Sequence, residues 1–360
     1  MLHCWLLALA TALALACTSA PRSPAGAVSS ASPRPATSTA AAEPPAPRRT
    51  VQVGSLGVLS EAGLFLAAER GYFAAQGLAV EIVPFDSGAR MVAALGSDQI
   101  QVGGGGLSAG LANAVLRGVP IKVVASQGRY EPGASPGYIS VRRDLLESGH
   151  LRDYPDFRGR TLAIPSRASV NEFMAHRLAQ KGGFSPEALN LVELNFSEMV
   201  TALGNGAADA GILADPLATI AAERGVAAKW RELVDLHPHL QVTVILFGPA
   251  LATREPELGR RWLLAYLQGA RDYHDAFFKG RDRDAAIAVL TRWTPVKDPA
   301  LYERIGLATI DPNGEVDRPS LEHQLQWFAD QGLLQGAITL DQLLDPSFAR
   351  AAVEQLGRYE

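Results

Sequence analysis

Polar side chains recur in this 360-residue chain at the points where an apolar, strand-like run gives way to helical spacing. In the first half these junctions are Ser60-Glu61, Asp86-Ser87-Gly88 and Gly105-Gly106-Leu107-Ser108. In the second they are Ser166-Arg167-Ala168-Ser169-Val170, Asn195-Phe196-Ser197 and Asp215. A helix start carries free N–H donors and a partial positive charge, so it binds carboxylate, sulfonate or phosphate groups without a basic side chain. Hydroxyls and glycines at such points let a small polar ligand approach the backbone. Glu61 and Asp215 add two carboxylates that, facing a cleft, would hold an amine or a cationic ring. Arg167, set between serines, could pair with an acidic group through two parallel hydrogen bonds. Each residue also has a plainer reading. Ser169 and Asn195 would cap helices in any protein, a carboxylate at a helix start is favourable anyway, and Arg167 suits a solvated loop.

Covalent and metal chemistry finds little support. The only cysteines are Cys4 and Cys17, so the region after residue 50 holds no thiolate nucleophile, disulfide or thiolate metal site. Gly103-Gly104-Gly105-Gly106 lacks both the GxGxxG spacing and the lysine of a nucleotide loop, and reads as a close approach of backbone. His237-Pro238-His239 offers two ligands at most, a poor metal site in a neutral loop. No serine–histidine–acid arrangement stands out. No catalytic residue, cofactor or metal is expected, and a net charge of −4 without a basic block argues against a nucleic-acid partner.

The elements that would position these junctions are repeated. Met91-Val92-Ala93-Ala94-Leu95-Gly96 returns 108 residues later as Met199-Val200-Thr201-Ala202-Leu203-Gly204. Each copy is preceded by polar residues and followed by a polar turn and a short apolar run ending in glycine, Gly103 or Gly211. That period suits a small domain rather than a solenoid repeat, so the chain reads as two related lobes with a cleft between them. Around the first copy, strands are expected at 51–59, 78–83, 100–102 and 119–124. Helices are expected around 64–68, from Asp86-Ser87-Gly88 through Leu95, and at 107–116. Around the second, strands are expected at 160–165, 191–194 and 208–213. Ser169-Val170-Asn171-Glu172 has capping-box spacing, and Asn195 or Ser197 would cap the repeated helix. A further strand is expected at 241–247, then helices around 255–278, 283–293, 301–305 and 320–330. Trp262, Trp293 and Trp327 fall in helical patterns and read as core. Arg129-Tyr130-Glu131 would begin the crossing between lobes and offer one wall of the pocket. Strands alternating with helices imply parallel sheets covered on both faces, with ligands beyond the carboxyl ends of the strands.

The N-terminal residues read differently. Residues 5–16 form an apolar run too short to span a bilayer but suited to a secretory signal. The run ends in Ala14-Leu15-Ala16-Cys17, which resembles the bacterial lipoprotein signal, where the cysteine is diacylated and becomes the new N-terminus. Ala14 stands where Leu is usual, and the alternative is an ordinary signal cut near Ala16 or Ala20. Residues 18–49 hold seven prolines among Ala, Ser and Thr and cannot bury a core. As a tether they would reach roughly 30 to 100 Å, and a glycosylated stalk is the other reading. The organisation expected is therefore a signal at 1–16, a tether at 17–49, a first lobe from 50–125 and 243–360 with C-terminal helices, and a second lobe at 126–242.

Ala68-Glu69-Arg70-Gly71-Tyr72-Phe73, followed by Gly77-Leu78-Ala79-Val80-Glu81-Ile82, resembles the early helix and strand of the binding proteins for nitrate, taurine, aliphatic sulfonates and thiamine pyrimidine precursors. Residues 86–96, the glycine run with Leu107-Ser108, residues 157–164, Ile310-Asp311-Pro312-Asn313-Gly314 and Gln326-Trp327-Phe328 follow in the order of that family. The resemblance covers nearly all of the chain after Thr50. It implies an α/β, two-lobed periplasmic-binding-protein fold, type II-like, each lobe a mostly parallel sheet flanked by helices, with C-terminal helices. It also implies an extracytoplasmic receptor, periplasmic or at the cell surface, that hands a small molecule to the permease of an ABC importer. The partners would be an anionic, zwitterionic or pyrimidine-like ligand, the permease and, through a lipid on Cys17, a membrane; the protein would be a monomer. By position the family's contacts fall on Glu61, Ser87, Ser108, Ser166 to Ser169, Asn195 and Asp215. With the neighbouring Ser60, Gly88 and Gly106 these form the candidate ligand-binding set, Arg167 included. Ala214 stands where sulfonate-type members often place an aromatic, which argues against a sulfonate. The alternatives are an enzyme of the thiamine-pyrimidine synthesis type, whose relatives use an internal cysteine-rich stretch, and a sensory binding subunit.

Overall fold

The computed structural model describes residues 48–360, so the expected signal, Cys17 and almost all of the tether lie outside the described residues. The chain opens with β1 (Arg49–Ser55), a 3-10 turn (Leu59–Glu61), α1 (Ala62–Glu69) and the one-turn α2 (Tyr72–Ala75). There follow β2 (Leu78–Pro84), α3 (Gly88–Gly96), β3 (Val102–Gly105), α4 (Ala109–Leu116) and β4 (Lys122–Tyr130). A second set runs through β5 (Gly137–Arg142), α5 (Arg143–Glu147), β6 (Thr161–Ile164), α6 (Val170–Lys181) and β7 (Asn190–Glu193). It continues as α7 (Phe196–Asn205), β8 (Ala210–Ala214), α8 (Leu217–Glu223) and β9 (Ala227–Glu232). β10 (Leu240–Phe247) returns to the first sheet, and α9 (Pro256–Phe278), α10 (Arg283–Trp293), α11 (Arg318–Asp330), α12 (Leu340–Leu343) and α13 (Ser347–Leu356) complete the chain.

The two sheets have the same plan. Their strand orders are β2-β1-β3-β10-β4 and β7-β6-β8-β5-β9. In each, the first three strands are parallel and the fourth is antiparallel to both of its neighbours, so four of five strands run one way. The sequence repeat falls on α3 and α7 at equivalent places in the two lobes. Its methionines do the same work: an added Cβ on Gly103 of β3 would lie 3.3 Å from Met91 Sδ, and one on Gly211 of β8 would lie 3.6 Å from Met199 Sδ. Met91 and Met199 are fully buried. The repeated glycine is thus the seat on which the repeated methionine packs, which is why the two recur together.

Several expectations change. The strand expected at 100–102 is β3, displaced to Val102–Gly105, so three of the four glycines lie in the strand, where they are the close approach of backbone expected of them. An added Cβ on Gly105 would meet Gly88 Cα at 2.6 Å, and one on Gly104 would meet the Gln127 amide at 2.4 Å. Side chains are excluded on both faces, so glycine's weak strand preference is overridden by packing. The first strand stops at Ser55 rather than at 59, because Gly57 turns the chain at φ +67°. β5 and β9 carry no clear signal in the sequence; β9 is a half-exposed edge strand with the charged run Lys229-Trp230-Arg231-Glu232. The expected capping box at Ser169 is altered as well. Ser169 Oγ accepts from Asn171 N, while the Glu172 carboxylate accepts from Ala168 N. Ala168 sits in the left-handed region at φ 50°, which offers its N–H, rather than that of Ser169, to the helix start. The helix expected at 301–305 is a 3-10 turn, Pro299–Glu303.

The first sheet is covered by α9, whose Trp262, Tyr266 and Tyr273 are fully buried against α1 and α10. Each such side chain contributes at least about 1.5–3 kcal/mol through burial. A separate cluster of Phe157, Leu162, Ile164, Met174 and Leu178 forms the core of the second lobe. Two cores on two sheets leave the rigid elements to meet at their strand ends, where the polar junctions lie.

Candidate functional site

Between the lobes lies a cavity whose walls come from both. The first lobe supplies Leu56, Val58, Ser60, Ser87, Gly88, Ala89 and Gly106, and the connecting strands supply Tyr130, Val242 and Thr243. Gly137, Pro165, Ser166, Ser169, Val170, Asn171, Phe196, Ile212, Leu213, Ala214 and Leu233 come from the second lobe. Hydroxyls and helix starts form one part of the lining and apolar side chains the rest, and Tyr130 is its one titratable side chain. Burial, then the nearby Asp215 charge, pushes the Tyr130 phenol far above its ordinary range, so it stays neutral.

Ser87 and Thr243 stand out within this wall. Both are buried, at 3% and 5% exposure, and the hydroxyl oxygen of each lacks a hydrogen-bond partner. A buried polar group left unpaired costs about 1–3 kcal/mol, and native proteins seldom tolerate it without a reason. Ser87 occupies the cap position of α3 yet its side chain makes no capping hydrogen bond, and while Arg90 N donates to Ser87 O, the helix start at Gly88 and Ala89 faces the cavity beside the unspent hydroxyl. Such a corner suits an acceptor atom on a ligand. The start of α6, at Val170 and Asn171, reaches the cavity from the other lobe.

The lobes are shut over this space. Ala109 N donates to Ala168 O at 2.9 Å and Val170 N to Leu107 O at 3.2 Å, so segment 107–109 of one lobe pairs with segment 168–170 of the other. Leu59 N adds a longer contact to Asp215 O at 3.4 Å. The room left inside is about 50 Å³, enough for a few water molecules.

The eleven candidate residues divide accordingly. Ser60, Ser87, Gly88, Gly106, Ser166 and Ser169 line the cavity. Ser108 sits just behind it, its Oγ accepting from Leu111 N to cap α4 while its backbone joins the bridge between lobes. Asn195 caps α7 in a capping box with Glu198, and its neighbour Phe196 faces the cavity instead. Arg167 is tied to Glu172 at 3.2 Å and to Leu191 O at 2.8 Å, outside the cavity. Glu61 is wholly buried and turned into its own loop, accepting from Ser55 Oγ at 2.6 Å, Leu56 N at 2.9 Å and Gly57 N at 2.8 Å. Burial pushes its carboxyl up from 4.5 to about 7, against the hydrogen bonds that pull it down. Its place is to brace the loop that presents Leu56 and Val58 to the cavity. Asp215 holds a cation, but the cation is Lys229, at 2.9 Å; the same carboxylate also accepts from Gly306 N, Thr219 N and Thr219 Oγ1. The two histidines weighed as a metal pair diverge, His237 packing against Phe173 and His323 while His239 faces Glu131.

Thr243 escaped the sequence reading. Its signal was the pair Gln241 and Thr243, two polar residues on one face of an otherwise apolar strand. Gln241 turned out to be a fully buried tie, its amide donating to Ser126 Oγ, Gly128 O and Thr243 O.

Known proteins share this fold. The nitrate-binding protein of Synechocystis matches with a TM-score of 0.72 at 14% identity, over 86% of this chain and 89% of its own. The alkanesulfonate-binding protein of Xanthomonas axonopodis pv. citri, bound to MOPS, matches at 0.67 and 20% identity, over 85% and 99%. A desulfurization enzyme, DSZB, matches at 0.62 and 15% identity, over 86% and 100%. These likenesses establish the two-lobed α/β fold. No curated protein sequence matches the chain. The sequence profile described as NMT1/THI5 like matches residues 60–276, more than half of the chain, from the turn that carries Ser60 to near the end of α9. This protein belongs to the NMT1/THI5-like family.

Proposed function

We propose that this protein is an extracytoplasmic solute-binding protein of an ABC importer, which captures a small organic molecule between its lobes and hands it to a permease. One observation carries the reading: two buried hydroxyls without partners, Ser87 Oγ and Thr243 Oγ1, sit in the wall of a cavity that the two lobes close together. A ligand that completes their hydrogen bonds touches both lobes only in the closed form, so it favours that form by the difference in its affinity for the two. The permease would then read the closed shape.

The ligand fits an acceptor-headed molecule with an apolar body. Its head would lie at the start of α3 among Ser60, Ser87 and Thr243, and its body against Tyr130, Ile212, Leu233 and Val242. The carboxylates once considered for an amine are spent on Gly57, Leu56 and Lys229, which favours an anionic or neutral solute over a cationic one. Export by the N-terminal signal and anchoring through Cys17 would put the receptor beside its permease. A sensory role on the same binding event remains the second reading, separated by whether the protein's partner is a permease or a signalling membrane protein.

A thermal-shift screen of the full-length protein against nitrate, sulfonates, aromatic acids, pyrimidines and amino acids tests this, with native mass spectrometry of the same sample. A ligand at 100 times its Kd stabilises the native state by about 2.7 kcal/mol. Saturable stabilisation by an acid or neutral heterocycle, recovered unchanged, is the expected result. A bound molecule whose mass changes on incubation would replace the receptor with an enzyme, as the shared fold of the desulfurization enzyme allows.

A further inference from the structure

We propose that the closed lobes are joined by a proton-sensitive seam, in which Phe173, His176, His237, His323 and Trp327 link the second lobe to α11, and that protonation of its histidines parts the lobes. The inference rests on the capture reading above and concerns the regulation of that site.

The seam is a run of five rings. His237 lies 5.6 Å from Phe173 and 5.7 Å from His323, both edge-on, and Trp327 lies 5.7 Å from Phe173 and 4.8 Å from His176. Phe173 and His176 belong to α6, and His237 follows Leu236 of the second lobe's core. His323 and Trp327 belong to α11, whose Leu321, Leu325 and Phe328 pack with Met91, Leu111 and Val244 of the first lobe. The rings therefore straddle the boundary between two cores. Helix α6 also carries Val170 and Asn171 in the cavity wall and the Val170 N–H that bridges to Leu107. Phe173 stands about one turn beyond Val170 and Arg177 about one turn further, so the seam and the cavity share one rigid element.

The charges around the seam set the sign. His237 faces Arg177 from α6 and His323 from α11, with its Nδ1 2.9 Å from the Pro238 carbonyl oxygen. His176 faces Glu172 from its own helix and Glu187 from the 3-10 turn before β7. Asp330 of α11 borders the same groove, where its carboxylate accepts from Gln326. Burial holds both His176 and His237 below the ordinary 6.5; for His237 the Pro238 carbonyl opposes this and Arg177 and His323 add to it. The closed form thus binds fewer protons than a form in which these rings are wet. Its stability is complete above pH 6.5 and falls as the pH drops from there through the lowered values. His237, with the Arg177 guanidinium beside it, is the main sensor; the glutamates beside His176 soften its share. His239 is not part of the seam, being exposed and turned toward Glu131.

Hydrogen exchange of the full-length protein at pH 7.5 and 5.5, corrected for intrinsic rates and with no ligand added, tests the seam. Segments 107–110 and 168–171 contain the Ala109 and Val170 amides that donate across the cleft. Their protection is expected to fall about threefold or more at the lower pH while β1 stays protected. The double variant His237→Asn/His323→Gln, which keeps only the smaller share of His176, should lose most of this fall in protection, and His323→Gln alone, at an exposed position, should show a diminished response. Equal protection of the wild type at both pH values overturns the seam, and so does an undiminished acid response in the variants. If the double variant fails to protect β1, the single variant decides. Because no ligand is present, loss of the acid response refutes the seam alone, while silence of the ligand panel with the acid response intact refutes the capture reading alone.

Discussion

Ser108 and Ser169 lie opposite each other in an antiparallel bridge across the cleft, one from each lobe. Each spends its hydroxyl on its own helix, Ser108 on Leu111 N and Ser169 on Asn171 N, so this bridge is made by backbone rather than by side chains. The bridge brings Ala168, held at φ 50°, against the apolar cluster of the first lobe. A left-handed alanine costs on the order of 1–3 kcal/mol, and the bond from its N–H to the Glu172 carboxylate helps to hold it there.

Gly106→Ala should act as a wedge. The added methyl would lie 2.6 Å from Val170 Cγ1, across the cleft, and 2.9 Å from Val242 O. Ligand affinity is expected to fall about tenfold or more, and small-angle scattering with ligand should report a larger radius than the wild type. Gly105→Ala, one residue earlier, would strike Gly88 within the first lobe. It should lower unfolding free energy by about 1–3 kcal/mol in urea titration instead.

Ser87→Ala and Thr243→Val remove hydroxyls that bond to nothing in the closed cavity. Their melting temperatures without ligand should equal or exceed the wild type's. Ligand affinity should fall by about 0.5–1.5 kcal/mol for each, read by calorimetric titration with the solute found in the panel. Unchanged affinity in both would move the binding site elsewhere.

Glu61 gives a pH signature of the fold. Its carboxyl is raised by burial from 4.5 to about 7, so the native state keeps a proton that the unfolded chain releases. The stability this adds is complete below about pH 4.5 and is lost as the pH rises through about 7. Glu61→Gln should be less stable at every pH, because an amide NH2 then opposes the donors Ser55, Leu56 or Gly57. It should also lack the decline between those values, worth on the order of 3 kcal/mol. Denaturant titrations at pH 4.5, 6 and 7.5 compare the two slopes.

Asp215→Asn leaves Lys229, itself only 19% exposed in its side chain, without its carboxylate. It also weakens the tie to Gly306 N. Breaking a buried pair in this way costs about 3–5 kcal/mol, so the melting temperature should drop by several degrees or the protein should fail to accumulate. Where it folds, its selectivity among anionic, neutral and cationic ligands should match the wild type's, since Asp215 meets Lys229 rather than solute.

The amino-acid sequence by itself determined the two-lobed plan. The Met-x-x-x-Leu-Gly repeat is legible because Met91 and Met199 must each pack over a strand glycine, and that requirement leaves the same letters at the same spacing. Helix starts at Ser108, Ser169 and Asn195 were readable for a similarly local reason: a cap bonds within three residues of itself. What only the tertiary structure decided was direction and partnership. Glu61 and Asp215 looked alike as acidic residues at strand ends, yet one turns back on its own loop and the other reaches Lys229 and Gly306, 14 and 91 residues away. β5 and β9 pair across long sequence separations and carry little local signal, and the glycines of β3 form a strand only because Gly88 and Gln127 press on them from either side. Hydrogen bonds within a turn are written in neighbouring residues. Contacts between lobes depend on where the whole chain brings its strand ends, and that is why the cavity, its unpaired hydroxyls and the histidine seam appear only in three dimensions.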